Sequence, residues 1–186
     1  GVVVDALELK RKEKSGQSVF DVYPQLENGR WLRVDIHRRE NLTPRRFKAI
    51  IETIERVVKK GQNVNFIEMS ATRNALDFYK MRPRIEKLKR QKNFLHTEVW
   101  PEYAHVVEFF ESKHSLGALT DSGGVQEELN LIGKACFTCR MSTDRPETVF
   151  DAKCNILVPP ISSDYMIKVL EHIAKNDSLI KKMEKC

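Results

Sequence analysis

The sequence predicts an α/β fold, a parallel sheet with helices on both faces. Short apolar runs alternate with longer stretches whose apolar residues recur at three and four positions, which marks strand–helix–strand units. The clearest such stretch carries Phe47, Ile50, Ile51, Ile54, Val57 and Val58 on one stripe, between a Thr43-Pro44 start and a Gly61 stop. Polar clusters follow the apolar runs at three places: HRREN at 37–41, TDSGG at 120–124 and STDRPE at 142–147. In a parallel sheet that places all three at the carboxyl ends of strands, where ligands bind.

Taken in order, Gly1 to Lys14 starts apolar and ends charged, as a loop entering a short helix does. Ser15 to Gly29 is polar, with Gly16, Pro24 and Gly29, and reads as loop. Residues 1–29 are therefore expected to be an opening segment and linker. Trp31–Ile36 is the first strand, and the striped helix follows, with Glu52–Arg56 and Glu55–Lys59 expected as i, i+4 pairs. Asn63–Met69 is the second strand; Thr72–Tyr79 and Pro83–Arg90 read as helices. A short third strand lies within Asn93–Val99, and a helix runs from Pro101 to about Ser112. Leu116–Thr120 is the fourth strand and Gly124–Ile132 its helix. Lys134–Cys139, a turn at Pro146–Phe150 and Asn155–Val158 come next, then helices after Ser162 or Ser163 and over Asp177–Lys185. The whole, 1–186, is expected to be a single domain.

Composition excludes several classes. The net charge is +6, and basic residues gather in Lys80–Lys92 with Glu86 the only acid. That run has no interleaved aromatics and no base-reading motif, so it reads as a solvated helix face and no nucleic-acid partner is expected. No apolar stretch approaches the roughly 20 residues of a membrane helix, so no membrane partner is expected. The opening residues lack the features of a signal peptide, so a cytoplasmic location is expected. Cys136 and Cys139 form a CxxC with no second pair or His pair to complete a zinc site. Within a strand their odd spacing puts them on opposite faces, as core cysteines. All four cysteines are expected as reduced thiols. His96, His105, His114 and His172 lack partners at metal-ligand spacing and read as structural; no metal or cofactor is expected.

The polar clusters suggest chemistry. Ser122-Gly123-Gly124 at a strand end and helix start suits a phosphate or diphosphate, because glycine admits close approach and the helix start presents unpaired N–H groups. A tight turn with no ligand is the alternative. Glu127 and Glu128 either complement the helix dipole or accept hydrogen bonds from ribose hydroxyls. His37 is a candidate acid, base or phosphate donor, or else a loop histidine bonded to a neighbouring carbonyl. Arg145 is a candidate bidentate anion ligand, or a salt-bridge partner of Glu147 or Asp144.

HRREN, TDSGGVQEE, a Gly-Lys strand and RMSTDRPE together resemble the C-terminal half of non-hydrolysing UDP-N-acetylglucosamine 2-epimerases; the opening VVVDAL resembles the start of that half. The resemblance implies a Rossmann-like domain, equivalent to one half of a GT-B fold, with UDP bound at Ser122, Gly123, Gly124, Glu128 and Arg145 and with His37 at the reaction centre. It implies interconversion of UDP-GlcNAc and UDP-ManNAc by UDP elimination and re-addition once an N-terminal domain, absent here, completes the cleft. A homodimer is the family's expectation for the parent. The alternative is a non-catalytic sugar-nucleotide-binding or regulatory module. Departures from the family pattern stand at Asp35-Ile36 before HRRE, at Ile67-Glu68-Met69 in place of Pro-x-His, and at Val106, where an aromatic near the uracil is expected.

Overall fold

The computed structural model describes residues 16–151, 154–174 and 177–184. The expected helix entry before Ser15 lies outside them. Helix α1 (Val19–Val22) and a 3-10 turn (Pro24–Glu27) lead into β1 (Trp31–Asp35). Then come α2 (Pro44–Lys59), β2 (Asn63–Glu68), α3 (Ser70–Phe78), α4 (Arg82–Leu88) and β3 (Phe94–Glu98). The second half is α5 (Tyr103–Glu111), β4 (Ser115–Thr120), α6 (Gly123–Ile132), β5 (Cys136–Thr138), α7 (Pro146–Phe150), β6 (Asn155–Leu157), α8 (Ser163–Ala174) and α9 (Asp177–Met183).

Among the described residues the six strands form one sheet in the order β3-β2-β1-β4-β5-β6, every pair parallel. This is the Rossmann-like arrangement, with the order reversing between β1 and β4. Gly117 is where β4 departs from regular pairing: φ is +107°, and an added Cβ would fall 1.9 Å from the Ala135 carbonyl oxygen. Only glycine fits there.

Alternation along β1 divides the core in two. Leu32, Val34 and Ile36 join Phe47, Ile50, Ile51 and Ile54 of α2 and Met166 and Ile173 of α8 in the larger cluster. Trp31 faces the smaller one, with Val19, Trp100, Phe109, Phe110 and Leu129. Cys139 packs in the first cluster and Cys136 in the second, so the pair does lie on opposite faces. Both are free thiols, whereas Cys154 is disulfide-bonded, which corrects the expectation of four reduced cysteines.

Other local readings change too. The stretch expected to be loop before β1 carries α1 and the 3-10 turn. Ser18 and Asp21 cap α1 reciprocally, Pro24 starts the turn, and Val19 and Leu26 are fully buried. The expected i, i+4 pairs on α2 are replaced by longer reaches. Arg56 pairs with Asp164 at 2.5 Å, and Glu55 takes two bonds from Arg84 at 2.7 and 2.6 Å. A guanidinium fork matches a carboxylate better than a flexible lysine does. No helix among the described residues is long and apolar enough to cross a membrane.

Candidate functional site

Strand order reverses between β1 and β4, and in open parallel sheets the carboxyl edge at that point is where ligands bind. All three polar clusters meet there, and the residue that joins them is Asp121, fully buried just past β4. Its carboxylate accepts from the His37 N–H at 3.1 Å, the Arg38 N–H at 3.0 Å and the Asn41 side-chain amide at 2.9 Å. The same Asn41 amide donates to the Cys139 carbonyl at 2.7 Å, bringing in the loop after β5. Burial pushes the Asp121 carboxyl above its ordinary range, against the pull of those donors.

His37 Nδ1 lies 3.3 Å from Asp121 Oδ1, and the imidazole is about one-third exposed (35%). With Nδ1 facing the carboxylate, Nε2 is the nitrogen left for an incoming group.

The turn into α6 is held from beneath. Thr120 Oγ1 accepts from the Ser122 N–H at 3.0 Å and donates to the buried Asp35 carboxylate. Ser122 is the N-cap, its hydroxyl accepting from the Val125 N–H at 3.5 Å. Gly123 and Gly124 are the first two helical residues, so their N–H groups lie at the positive end of the helix dipole with no partner inside the helix. Neither glycine has positive φ. A Cβ on Gly123 would sit 3.7 Å from Arg38 and Asp144, and one on Gly124 would sit 3.9 Å from the Ser122 hydroxyl, both ordinary contacts. The chain itself does not require glycine at either position.

Arg145 does not pair with Glu147 or bond the Asp144 side chain. Its guanidinium reaches Glu127 on α6, and its Nη1 donates to the Asp144 carbonyl at 3.1 Å. A buried amide network places this loop. The Arg145 N–H donates to Thr143 Oγ1 at 3.0 Å, which donates to Gln126 Oε1 at 2.6 Å. Asn155 on β6 donates to the same Gln126 oxygen at 3.1 Å and accepts from Thr138 at 2.6 Å. Arg140 bridges the outer rim, to Glu40 at 3.1 Å and Asp144 at 2.7 Å.

Glu128 is the second acid of the pair on α6. Burial raises the pKa of its carboxyl and of the Tyr103 phenol on α5. Val106 is half-buried against the smaller core. Ser122, Gly123, Gly124, His37 and Arg145 thus share one edge, with Glu128 on the helix they begin. The residues that fix them, Asp121, Asn41, Gln126 and Asn155, were not singled out from sequence. The first three lie inside or beside the motifs, but their burial depends on partners up to 98 positions away.

A model of the family described as UDP-N-acetylglucosamine 2-epimerase matches residues 1–186. A UDP-N-acetylglucosamine 2-epimerase of Methanocaldococcus jannaschii is 31% identical over 138 residues, covering 73% of this chain and 36% of that protein. A UDP-N-acetylglucosamine 2-epimerase homolog of Methanococcus maripaludis is 28% identical over 168 residues, covering 90% of this chain and 43% of its own length. Among solved structures, the M. jannaschii UDP-GlcNAc 2-epimerase in complex with UDP-GlcNAc and UDP superposes with a TM-score of 0.70 at 28% identity, over 91% of this chain and 44% of that one. An S. aureus MnaA–UDP co-structure reaches a TM-score of 0.77 at 20% identity over 98% and 46%, a likeness of fold. The chain therefore spans less than half the length of the relatives it matches, and its fold corresponds to one half of a GT-B-like epimerase.

Proposed function

Since the chain belongs to the UDP-N-acetylglucosamine 2-epimerase family, we propose that it is the UDP-binding half of such an enzyme. The observation that carries this reading is the Gly123-Gly124 pair: two glycines the fold does not need, at a helix N-terminus, at the point where strand order reverses.

In this reading the N–H groups of Gly123 and Gly124 and the Ser122 hydroxyl hold the diphosphate. Arg145 turns from Glu127 toward the same anion as a charged donor. Glu128 accepts from ribose hydroxyls. His37, oriented by Asp121, donates from Nε2 to the phosphate nearest the sugar. The reaction is inversion at C2 of the sugar: UDP is eliminated to leave a 2-acetamidoglucal and re-adds, interconverting UDP-GlcNAc and UDP-ManNAc. UDP departs as an anion, so these fixed donors lower the cost of that charge and retain the leaving group. The groups that move the C2 proton belong to an N-terminal partner domain of the parent, and closure of that domain keeps water from the intermediate.

Calorimetry with UDP tests the reading. Saturable binding by the chain is expected, weakened about tenfold or more in Arg145→Ala, since a hydrogen bond to a charged group contributes about 1.5–3 kcal/mol. The chain alone is expected to form no UDP-ManNAc from UDP-GlcNAc. Absence of UDP binding, or epimerisation by the isolated chain, would count against the assignment. UDP binding in a parent gene with no second Rossmann-like region would instead make it a non-catalytic sugar-nucleotide-binding or regulatory module.

A further inference from the structure

The two strands that flank the reversal point, β1 and β4, end on a buried polar pair. Asp35 and Thr120 are register partners on the last rung between them, 1% and 0% exposed. Alternation puts them on the face that α6 covers, where Trp31 and Ala118 join Leu129 in the smaller core. Asp35 is also one of the residues at which the chain departs from the family pattern before HRRE. A carboxylate buried this deeply is costly without a cation beside it. Arg33, two residues back on the same face and also buried, places its Nε 3.4 Å from Asp35 Oδ2. The guanidinium is itself held in place, its carbon 4.5 Å from the Trp100 ring centroid and 5.8 Å from that of Phe110.

The other Asp35 oxygen accepts from the Thr120 hydroxyl. A carboxylate has no proton to give, so the hydroxyl donates its only one to Asp35. Its lone pairs are then left for the Ser122 N–H at 3.0 Å. The Ser122 carbonyl is fixed as well, accepting from the Gln126 N–H at 3.3 Å and from the Gln126 side-chain amide at 3.2 Å. Both backbone polar groups of the N-cap residue are therefore anchored, one to the sheet and one to the helix. The Gly123 and Gly124 N–H groups follow directly from it and have no partner inside the helix. Charge alone argues against a carboxylate here, because a negative group close to an anion site repels the anion. Asparagine at 35 would avoid that repulsion. Its amide both donates and accepts, however, and would leave the direction of the Thr120 hydroxyl open.

We propose that Asp35 is a positioning residue for diphosphate binding. Held by Arg33, it sets the Thr120 hydroxyl so that the Ser122 N–H, and with it the turn carrying Gly123 and Gly124, keeps one orientation before the anion arrives. Donors ordered in advance bind more tightly because less ordering is left to be done on binding. The ligand group that depends on Asp35 is the diphosphate, not the nucleoside. The inference rests on the diphosphate role proposed above for Gly123 and Gly124, and it asks more of the chain than UDP binding alone.

The test has two readouts, made on the wild-type chain, Asp35→Asn (carboxylate removed, shape kept), Thr120→Val (hydroxyl removed, shape kept) and Thr120→Ser (hydroxyl kept). The first needs no nucleotide: hydrogen exchange of the Ser122 amide by nitrogen-15 NMR, read against the amides of β4 to remove any global effect. The amide is expected to be protected in the wild-type chain and in Thr120→Ser, and to exchange about tenfold faster in the other two. The second compares binding of UDP, by calorimetry, with binding of uridine, by NMR titration. Asp35→Asn and Thr120→Val are expected to lose about tenfold in UDP affinity and to bind uridine as the wild-type chain does. Thr120→Ser binds both as wild type. Equal or stronger UDP binding by Asp35→Asn overturns the proposal, since that is the result charge alone would give. Equal losses for UDP and uridine also overturn it, because the turn would then serve the fold. If one disruptive variant does not fold, the other decides, and loss of UDP binding by Thr120→Ser overturns the proposal in either case. Fast exchange of the Ser122 amide in the wild-type chain overturns it with no variant needed. If the wild-type chain binds no UDP, the nucleotide reading fails, and the exchange rates still decide whether Asp35 orders the turn.

Discussion

Both ends of the sheet are rich in charge, and they use it differently. At the carboxyl end, buried Asp121 ties the loops after β1, β4 and β5 together, and the N-terminus of α6 leaves its first N–H groups without a partner inside the helix. At the amino end, Lys59, Arg84, Lys87, Arg90 and Lys92 line a groove of about 1010 Å³. No buried carboxylate organises it among the residues that line it. Arg84 is taken up by Glu55, and Arg56 by Asp164. Lys59 and Lys87 lie in the last turns of α2 and α4, where a cation offsets the negative end of the helix dipole. The number of charges does not distinguish the two ends. What distinguishes the carboxyl end is N–H donors fixed in place with no partner inside the helix.

Asp121→Ala breaks the comparison most severely. It strands three N–H groups that its carboxylate accepts from, two of them backbone. A loss of about 4 kcal/mol is expected in urea unfolding, together with loss of UDP binding, because the loops are no longer held in register. A second carboxylate on the same edge behaves differently. Glu68, 4% exposed, stands where the family's Pro-x-His motif runs, and it accepts from Arg82 at 2.6 Å, Arg73 at 2.9 Å and pairs with His96 at 2.7 Å. Burial alone would raise its pKa, but those bonds hold it down at about 2, against 4.5 unperturbed. A depressed folded value means the contribution is complete above the unfolded pKa and is lost as pH falls through about 2. Between pH 6 and pH 2 the wild-type chain is expected to lose roughly 2 to 3 kcal/mol from this group. Unfolding midpoints for Glu68→Gln should fall less over the same range, and parallel curves would refute the assignment.

The sheet, its helices and the common edge of the three clusters were legible because they follow from periodicity and from the rule that parallel strands end together. The residues holding that edge were not. Asp121 and Asn41 are bonded 80 positions apart, and nothing local marks either as buried. Arg33 sits in an apolar run, and sequence does not say that Trp100 will cover it. The i, i+4 pairs on α2 failed for a related reason: a distant arginine with a better-shaped fork captured Glu55. Ser18 to Glu27 read as loop because elements of four residues are too short to show a period.

The glycine pair sharpens the comparison by separating stability from binding. Gly124 is exposed, with room for a methyl group, so Gly124→Ala should raise stability by about 0.5 kcal/mol through lower unfolded-state entropy. The same methyl group stands where a phosphate oxygen would approach the backbone, so UDP affinity should fall about tenfold by calorimetry, one close backbone hydrogen bond to an anion. A fall in both quantities would mean the glycine serves the fold, and the anion site would lose its main support.

The smallest expected effect is at the amino end. Lys87, Arg90 and Lys92 are all exposed on the rim of that groove. Replacing the three by Gln removes half of the chain's net charge of +6. Surface substitutions of this kind change stability by less than about 0.5 kcal/mol each, with a small loss where Lys87 offsets the α4 dipole. UDP affinity at 0.15 M salt should stay within about twofold, because charges at the far edge of the sheet are screened over a Debye length of about 8 Å. If the triple variant instead lost UDP binding, the anion would be held by the basic groove. The distinction between fixed, unemployed donors and merely plentiful charge would then have chosen the wrong end of the sheet.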